Sequence, residues 1–383
     1  MKSTNKKHAR DHIDDELKTV TKKHRRTALQ LKEDSTTYLG YDSLRQYGVC
    51  VVPLSVAPAE LQREFDRSLQ TQPELLDSAA HLIEPPFVGG GFGAFGHASS
   101  FHNPFCRAIR RDVYGSFKEA IRCQPDIVPT HLRHPHGKIE IIPDRQSFRP
   151  RGHCPAAESW HRDLSPTEMH PTKNPFVKSN PGDLILGGWV NCNEANEHHF
   201  VCVPGSCYET TGEGSDQGVV DGTGFCLLRD EEKKKRYQDA SVSIAIPPGH
   251  VLLFDQSTVH CVNSTKLAFD LRRVYIALRL TLATEPLIKD VVERMLHGHI
   301  LPLKSGQLPR LYPHMWIANW PDRLIEFSEK FPDIMKQVKH IRGKSLKRHK
   351  EGDYLVLRVL GPSVPPVPPY TQEELDAYVP HAW

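Results

Sequence analysis

The sequence predicts a mainly β chain with flanking helices, folded as a sandwich or a barrel. Two observations carry this. From Lys138 to about Leu282, short runs of β-forming residues alternate with turns, and no long helical pattern intervenes. Outside that stretch the period changes to a helical one.

Taken in order, Tyr47–Pro53 is a short apolar run rich in β-formers and reads as a strand. Ala57–Gln70 places Leu61, Phe65 and Leu69 at a repeat of four, one buried helical stripe. Residues 89–96 form a glycine-rich loop that lacks the Gly-Lys-Ser/Thr ending of a phosphate-binding loop and follows Pro85-Pro86 rather than a strand. It is expected as a flexible loop near a site entrance, with Phe92 and Phe95 among the candidates for contact with a substrate. Phe105–Ile121 reads as a helix with Ile109, Val113, Phe117 and Ile121 in register. Strands are expected at Lys138–Ile142, Leu184–Cys192, Phe200–Val203, Ser241–Ile246, His250–Phe254 and Arg273–Leu282. Residues 286–301 and 320–341 return to helical character, and the tail from Gly361 is Pro-rich and extended. No internal repeat is visible.

Composition limits the function classes. Hydrophobic residues at 38% and charged residues at 25% describe a soluble globular chain, not a disordered one. No apolar run approaches the roughly 18 residues needed for a membrane span, and no apolar stretch follows the basic N-terminus, so a secretory signal is not expected. The nine cysteines are odd in number and include no Cys-x-x-Cys pair, which points to reduced thiols in an intracellular compartment, cytoplasmic or nuclear. A net charge of +3 is too small for nucleic-acid binding over the whole surface. Basic clusters at 22–26 and 344–350 leave an import signal or an anionic partner, nucleic acid included, open; a solvated tail and loop is the plainer account.

The chemistry is carried by two segments about a hundred residues apart, Trp160-His161-Arg162-Asp163 and Pro248–His260. Two ligands two positions apart on a strand point the same way, so His161 and Asp163 share a side and Arg162 faces away. His260 follows the Val251-Leu252-Leu253-Phe254 run, where a strand would end beside the first. Two imidazoles and one carboxylate on one side of a metal form the facial triad of non-haem Fe(II) oxygenases, with the other positions left for a bidentate 2-oxo acid and O₂. A dicarboxylate co-substrate also needs a cation for its far end. Arg272 shares a strand face with Val274, Ile276, Leu278 and Leu280; that apolar face is expected to point into the barrel, which makes Arg272 rather than Arg273 the expected anchor.

These segments, with Gly188–Asn193 and Glu197–Ser206, resemble the phytanoyl-CoA dioxygenase-like Fe(II)/2-oxoglutarate oxygenases over about residues 135–282. The resemblance implies a double-stranded β-helix (jelly-roll) core, with Fe(II) on His161, Asp163 and His260, Arg272 on the 2-oxoglutarate 5-carboxylate, and Trp189 lining the co-substrate pocket. Residues 1–35, rich in both signs of charge and poor in aromatics, read as a basic arm, followed by the jelly-roll domain at 36–285 and a helical extension with a Pro-rich tail at 286–383. Cys207 stands where the family often has His after Pro-Gly-Ser, and the long spacer between Asp163 and Trp189 implies an insertion at 164–182. Asp163 keeps the carboxylate that a halogenase would lack, so hydroxylation is the expected outcome. Two other classes compete: a non-catalytic jelly-roll binding or assembly protein, and a cupin-like enzyme using Zn or Mn. The substrate is not legible.

Overall fold

The computed structural model describes residues 35–70, 103–149, 151–152, 158–164, 182–209, 226–228, 230–262, 266–286 and 370–383. The expectations for the N-terminal arm, the glycine-rich loop, the insertion after Leu164, both basic clusters and the helices beyond residue 286 lie outside these residues.

In chain order the named elements are α1 (Asp42–Tyr47), β1 (Val49–Pro53), α2 (Pro58–Gln70), α3 (Pro104–Cys123), β2 (Lys138–Ile142), β3 (Gln146–Arg149), β4 (Glu158–Arg162), β5 (Leu184–Asn191), β6 (His198–Cys202) and β7 (Cys226–Leu227). They continue through α4 (Glu231–Ala240), β8 (Val242–Ile246), β9 (His250–Asp255), β10 (His260–Val262), β11 (Leu271–Thr281), α5 (Gln372–Asp376) and β12 (His381–Ala382). One sheet runs β1-β9-β5-β11-β2-β12 with β3 also on β11; the other runs β7-β4-β10-β6-β8. All pairings between these strands are antiparallel. The two sheets make the jelly-roll core, and none of the described helices is long and apolar enough to cross a membrane.

The larger sheet has two unlike faces, because side chains alternate along each strand. Its outer face carries Ile139, Ile141, Leu186, Val190, Leu253, Val274, Ile276, Leu278 and Leu280, which pack against Leu61, Phe65, Val113 and Phe117 of α2 and α3. Phe65, Val113 and Phe117 are fully buried, and each such side chain contributes about 1.5–3 kcal/mol. The sequence favours α3 at its start as well as along its stripe: Pro104 sits in the first turn, and Asn103 Oδ1 accepts the Cys106 N–H at 2.8 Å.

The inner face meets the second sheet through Trp189, Phe200, Ile244, Ile246, Leu252 and Phe254, with Tyr275 packed against them. Two adjacent glycines of β5 lie close against β9, its neighbour in the same sheet, and the residue after it. A Cβ on Gly188 would lie 1.8 Å from the Leu252 carbonyl oxygen, and one on Gly187 would lie 2.8 Å from Gln256 Nε2. Residues 370–383 return to the core. Thr371 and Glu374 form a capping box at the start of α5, Glu374 also receives Arg107 Nε at 3.0 Å, and β12 pairs with β2.

Candidate metal centre

His161, Asp163 and His260 converge. β10 lies between β4 and β6, and His260 stands directly opposite His161. The two imidazoles therefore share a face, with ring centroids 4.2 Å apart. Asp163 follows β4 immediately and reaches both rings: Oδ1 is 3.7 Å from His161 Nε2 and Oδ2 is 3.8 Å from His260 Nε2. One ligand atom from each of the three residues falls within a common span of 4.8 Å. Donors bound at 2.0–2.2 Å around one ion sit about 3 Å apart when adjacent, so small side-chain rotations would let this set hold a metal.

The donor chemistry fits a cation. His260 Nδ1 lies 2.9 Å from the Thr258 carbonyl oxygen. A carbonyl only accepts, so Nδ1 carries the proton and Nε2 presents a lone pair toward Asp163. That lone pair beside a carboxylate, at a distance beyond hydrogen-bond reach, is an electron-rich arrangement that a metal ion would complete. His161 is 2% exposed and the Asp163 side chain 29%, so the set is open on the carboxylate side. Phe254 and Phe200 stand 5.1 and 5.4 Å from His260, and Trp189 packs edge-on against Phe200 at 5.5 Å, which gives the centre an apolar wall.

Arg162 points away from the centre, as alternation requires. It is fully buried and donates to the Ser206 carbonyl at 2.8 Å, to the Ser257 carbonyl, and to Tyr237 Oη at 3.4 Å.

The expected position of Arg272 is corrected. Its face of β11 is apolar because it packs on α2 and α3, not because it lines the barrel. Arg272 Nε lies 2.7 Å from Asp66 Oδ1 of α2, and Nη2 lies 3.5 Å from Asp270. The adjacent Arg273 is on the inner face, its Cζ 4.1 Å above the Trp189 ring. Trp189 is buried on that inner face, edge-on to Phe200 at 5.5 Å. The inner face also holds a buried network in which Arg279 bridges Glu140 and Asp183, each at 2.7 Å. The expectation of an apolar inner face sets Arg273 and Tyr275 aside. The available signal was that the more polar stripe of a strand between helices and a site faces the site.

No protein-family model matches the chain, and no curated protein sequence matches it. Similar solved structures include EctD from S. alaskensis with bound Fe, 16% identical over 62% of this chain and 74% of that one at a TM-score of 0.35. The non-heme alpha ketoglutarate dependent carbocyclase SnoK from nogalamycin biosynthesis is 11% identical over 65% and 85%, with a TM-score of 0.38. A putative oxidoreductase from Salmonella typhimurium LT2 is 14% identical over 61% and 68%, with a TM-score of 0.41. These likenesses are distant, and the site is read from its own geometry.

Proposed function

We propose that this chain is an Fe(II)- and 2-oxoglutarate-dependent dioxygenase of the phytanoyl-CoA dioxygenase-like kind, acting as a hydroxylase. The observation that carries this reading is the convergence of His161, Asp163 and His260 within 4.8 Å at the inner mouth of the jelly roll. His161, Asp163 and His260 would hold the metal from one side. When bound, Fe(II) together with 2-oxoglutarate supplies the oxidising power for O₂-dependent C–H hydroxylation.

The chain's own residues bind, orient and exclude water. The hydrogen bond from His260 to Thr258 fixes the ring tautomer and its direction. Phe200, Phe254 and Trp189 keep the centre dry on the inner side. Arg273, on the same face as Trp189, takes the anchoring role expected of Arg272, because the Arg272 guanidinium is engaged by Asp66.

Anaerobic loading with Fe(II) and 2-oxoglutarate, followed by O₂, tests the reading. Succinate formation even without substrate is the expected result, abolished in His161→Ala. Wild-type protein that binds Fe(II) and 2-oxoglutarate yet forms no succinate would favour the non-catalytic jelly-roll alternative.

A further inference from the structure

Alternation along β9 turns Phe254 toward His260 and Asp255 the opposite way, onto the outer face of the larger sheet. On that face Asp255 borders a cavity of about 220 Å³. Leu44, Ile127, Leu184 and Leu186 give the cavity an apolar wall, and Arg133, just after the turn at Thr130–Leu132, adds a guanidinium. Arg45, Thr130 and Tyr208 also line it and are exposed, so the space communicates with solvent. A cavity of roughly 150 Å³ holds a six-membered carbon ring, so this one has room for a somewhat larger molecule. The sheet separates it from the metal centre, which makes it neither a substrate nor a co-substrate pocket of that centre.

Two opposite charges in this lining have no counter-ion. Asp255 Oδ1 accepts the Ser257 N–H at 2.8 Å, but among the described residues no Lys, Arg or His pairs with its carboxylate. Burial therefore raises this carboxyl to about 6, which still leaves it ionised at neutral pH. Arg133 Nε and Nη2 donate to the Val128 and Asp126 carbonyls at 2.6 and 2.9 Å, and among the described residues no carboxylate pairs with the guanidinium. Arg45 differs, because Asp126 neutralises it at 2.8 Å. Asp255 and Arg133 thus border one space from different walls without meeting as an ion pair. A buried charge left without its partner is costly. The complement of this lining is a molecule with one positive end, one negative end and an aliphatic body.

We propose that this cavity binds a free aliphatic α-amino acid of about leucine's size, with its ammonium group on Asp255, its carboxylate on Arg133 and its side chain against Leu44, Ile127, Leu184 and Leu186. Both contacts are charge-assisted and act only on a zwitterion. An analogue that lacks either charge leaves the matching protein group uncompensated, and that penalty sets the selectivity.

The test is calorimetric titration of the metal-free full chain with L-leucine, with 3-methylbutylamine, which lacks the carboxylate, and with 4-methylpentanoate, which lacks the ammonium group. L-Leucine is expected to saturate one site in wild type, with each analogue at least about tenfold weaker. Asp255→Asn is expected to lose at least about tenfold in leucine affinity with 4-methylpentanoate binding unchanged. Arg133→Gln is expected to lose as much with 3-methylbutylamine binding unchanged, and Arg133→Lys to fall between it and wild type. The melting temperature of each variant controls for folding, and Arg133→Lys keeps the charge if the glutamine variant does not fold. A wild type that does not bind L-leucine, or an Asp255→Asn variant that binds it as tightly as wild type, overturns the proposal and leaves the oxygenase reading untouched.

Discussion

Arg162, between two candidate metal ligands in sequence, donates a hydrogen bond to the Ser257 carbonyl, three residues before the third ligand His260. It also holds the Ser206 carbonyl at 2.8 Å, and Ser206 Oγ in turn accepts the Val259 N–H at 2.8 Å. One buried cation therefore ties the strand of His161 to the turn that delivers His260.

Arg162→Gln is expected to destabilise the fold and weaken metal binding together. Each carbonyl left buried without its donor costs about 1–3 kcal/mol, and the two halves of the ligand set lose their shared tether. Chemical denaturation measures the first effect and Mn(II) titration the second. Asp163→Ala, in contrast, is expected to abolish metal binding by more than the roughly 10–100-fold typical of losing a supporting partner, with the metal-free fold intact. Unchanged Mn(II) affinity in Arg162→Gln would separate the tether from the site.

The paired arginines of β11 give opposite expectations. Arg272→Gln breaks a partly exposed pair with Asp66 and should cost on the order of 1 kcal/mol, seen as a modest fall in melting temperature, with 2-oxoglutarate affinity within about twofold of wild type. Arg273→Gln should spare stability and cost at least about tenfold in that affinity. Titration of both variants with Mn(II) present decides between the two residues.

The contrast also explains what the sequence could reveal. Several strands, the helical stripes of α2 and α3, and the shared side of His161 and Asp163 were legible because each depends on a local period: two for His161 and Asp163, four for Leu61, Phe65 and Leu69. The orientation of β11 was not, because period alone does not say which face meets helices and which meets a ligand. The face holding Val274, Ile276, Leu278 and Leu280 is uniformly apolar because α2 and α3 cover it. The face holding Arg273, Tyr275 and Arg279 is polar because it lines the interior of the roll. The return of residues 370–383 onto α3 through Glu374 and Arg107 was likewise illegible, since it depends on a contact between residues far apart in sequence.

Asp255, at the end of β9, sets a pH dependence. It borders a cavity of about 220 Å³ lined also by Leu44, Ile127, Leu184 and Leu186. Burial raises its carboxyl from 3.8 to about 6, against the opposing Ser257 N–H and Arg162. Between these values the folded state holds a proton that the unfolded state has released, so stability falls as pH rises, and the full penalty applies above about pH 6. The shift corresponds to a penalty on the order of 2–3 kcal/mol. Asp255→Asn, which keeps an acceptor for the Ser257 N–H, should therefore be more stable than wild type at pH 7.5 and nearly equal to it at pH 4. Denaturation of both proteins at the two values, without metal, measures the difference; an equal gap at both would remove Asp255 as its cause.

Tyr275 should be the first of the described tyrosines to ionise. Burial alone would raise its phenol, yet Arg273, Arg149 and Arg145 outweigh burial and bring it down to about 8. Burial instead raises Tyr38, Tyr41, Tyr47, Tyr114, Tyr208, Tyr237, Tyr370 and Tyr378. A depressed folded value means that the phenolate stabilises the fold, fully above the unfolded value near 10 and progressively less as pH falls through about 8. Ultraviolet difference titration of the metal-free chain should show one early phenolate step, absent in Tyr275→Phe and moved upward in Arg273→Gln. A carboxylate seated on the arginines neutralises the charge that favours phenolate, so saturating 2-oxoglutarate with Mn(II) should move the step upward as well. A step that stays in place under saturation would mean that the dicarboxylate binds elsewhere.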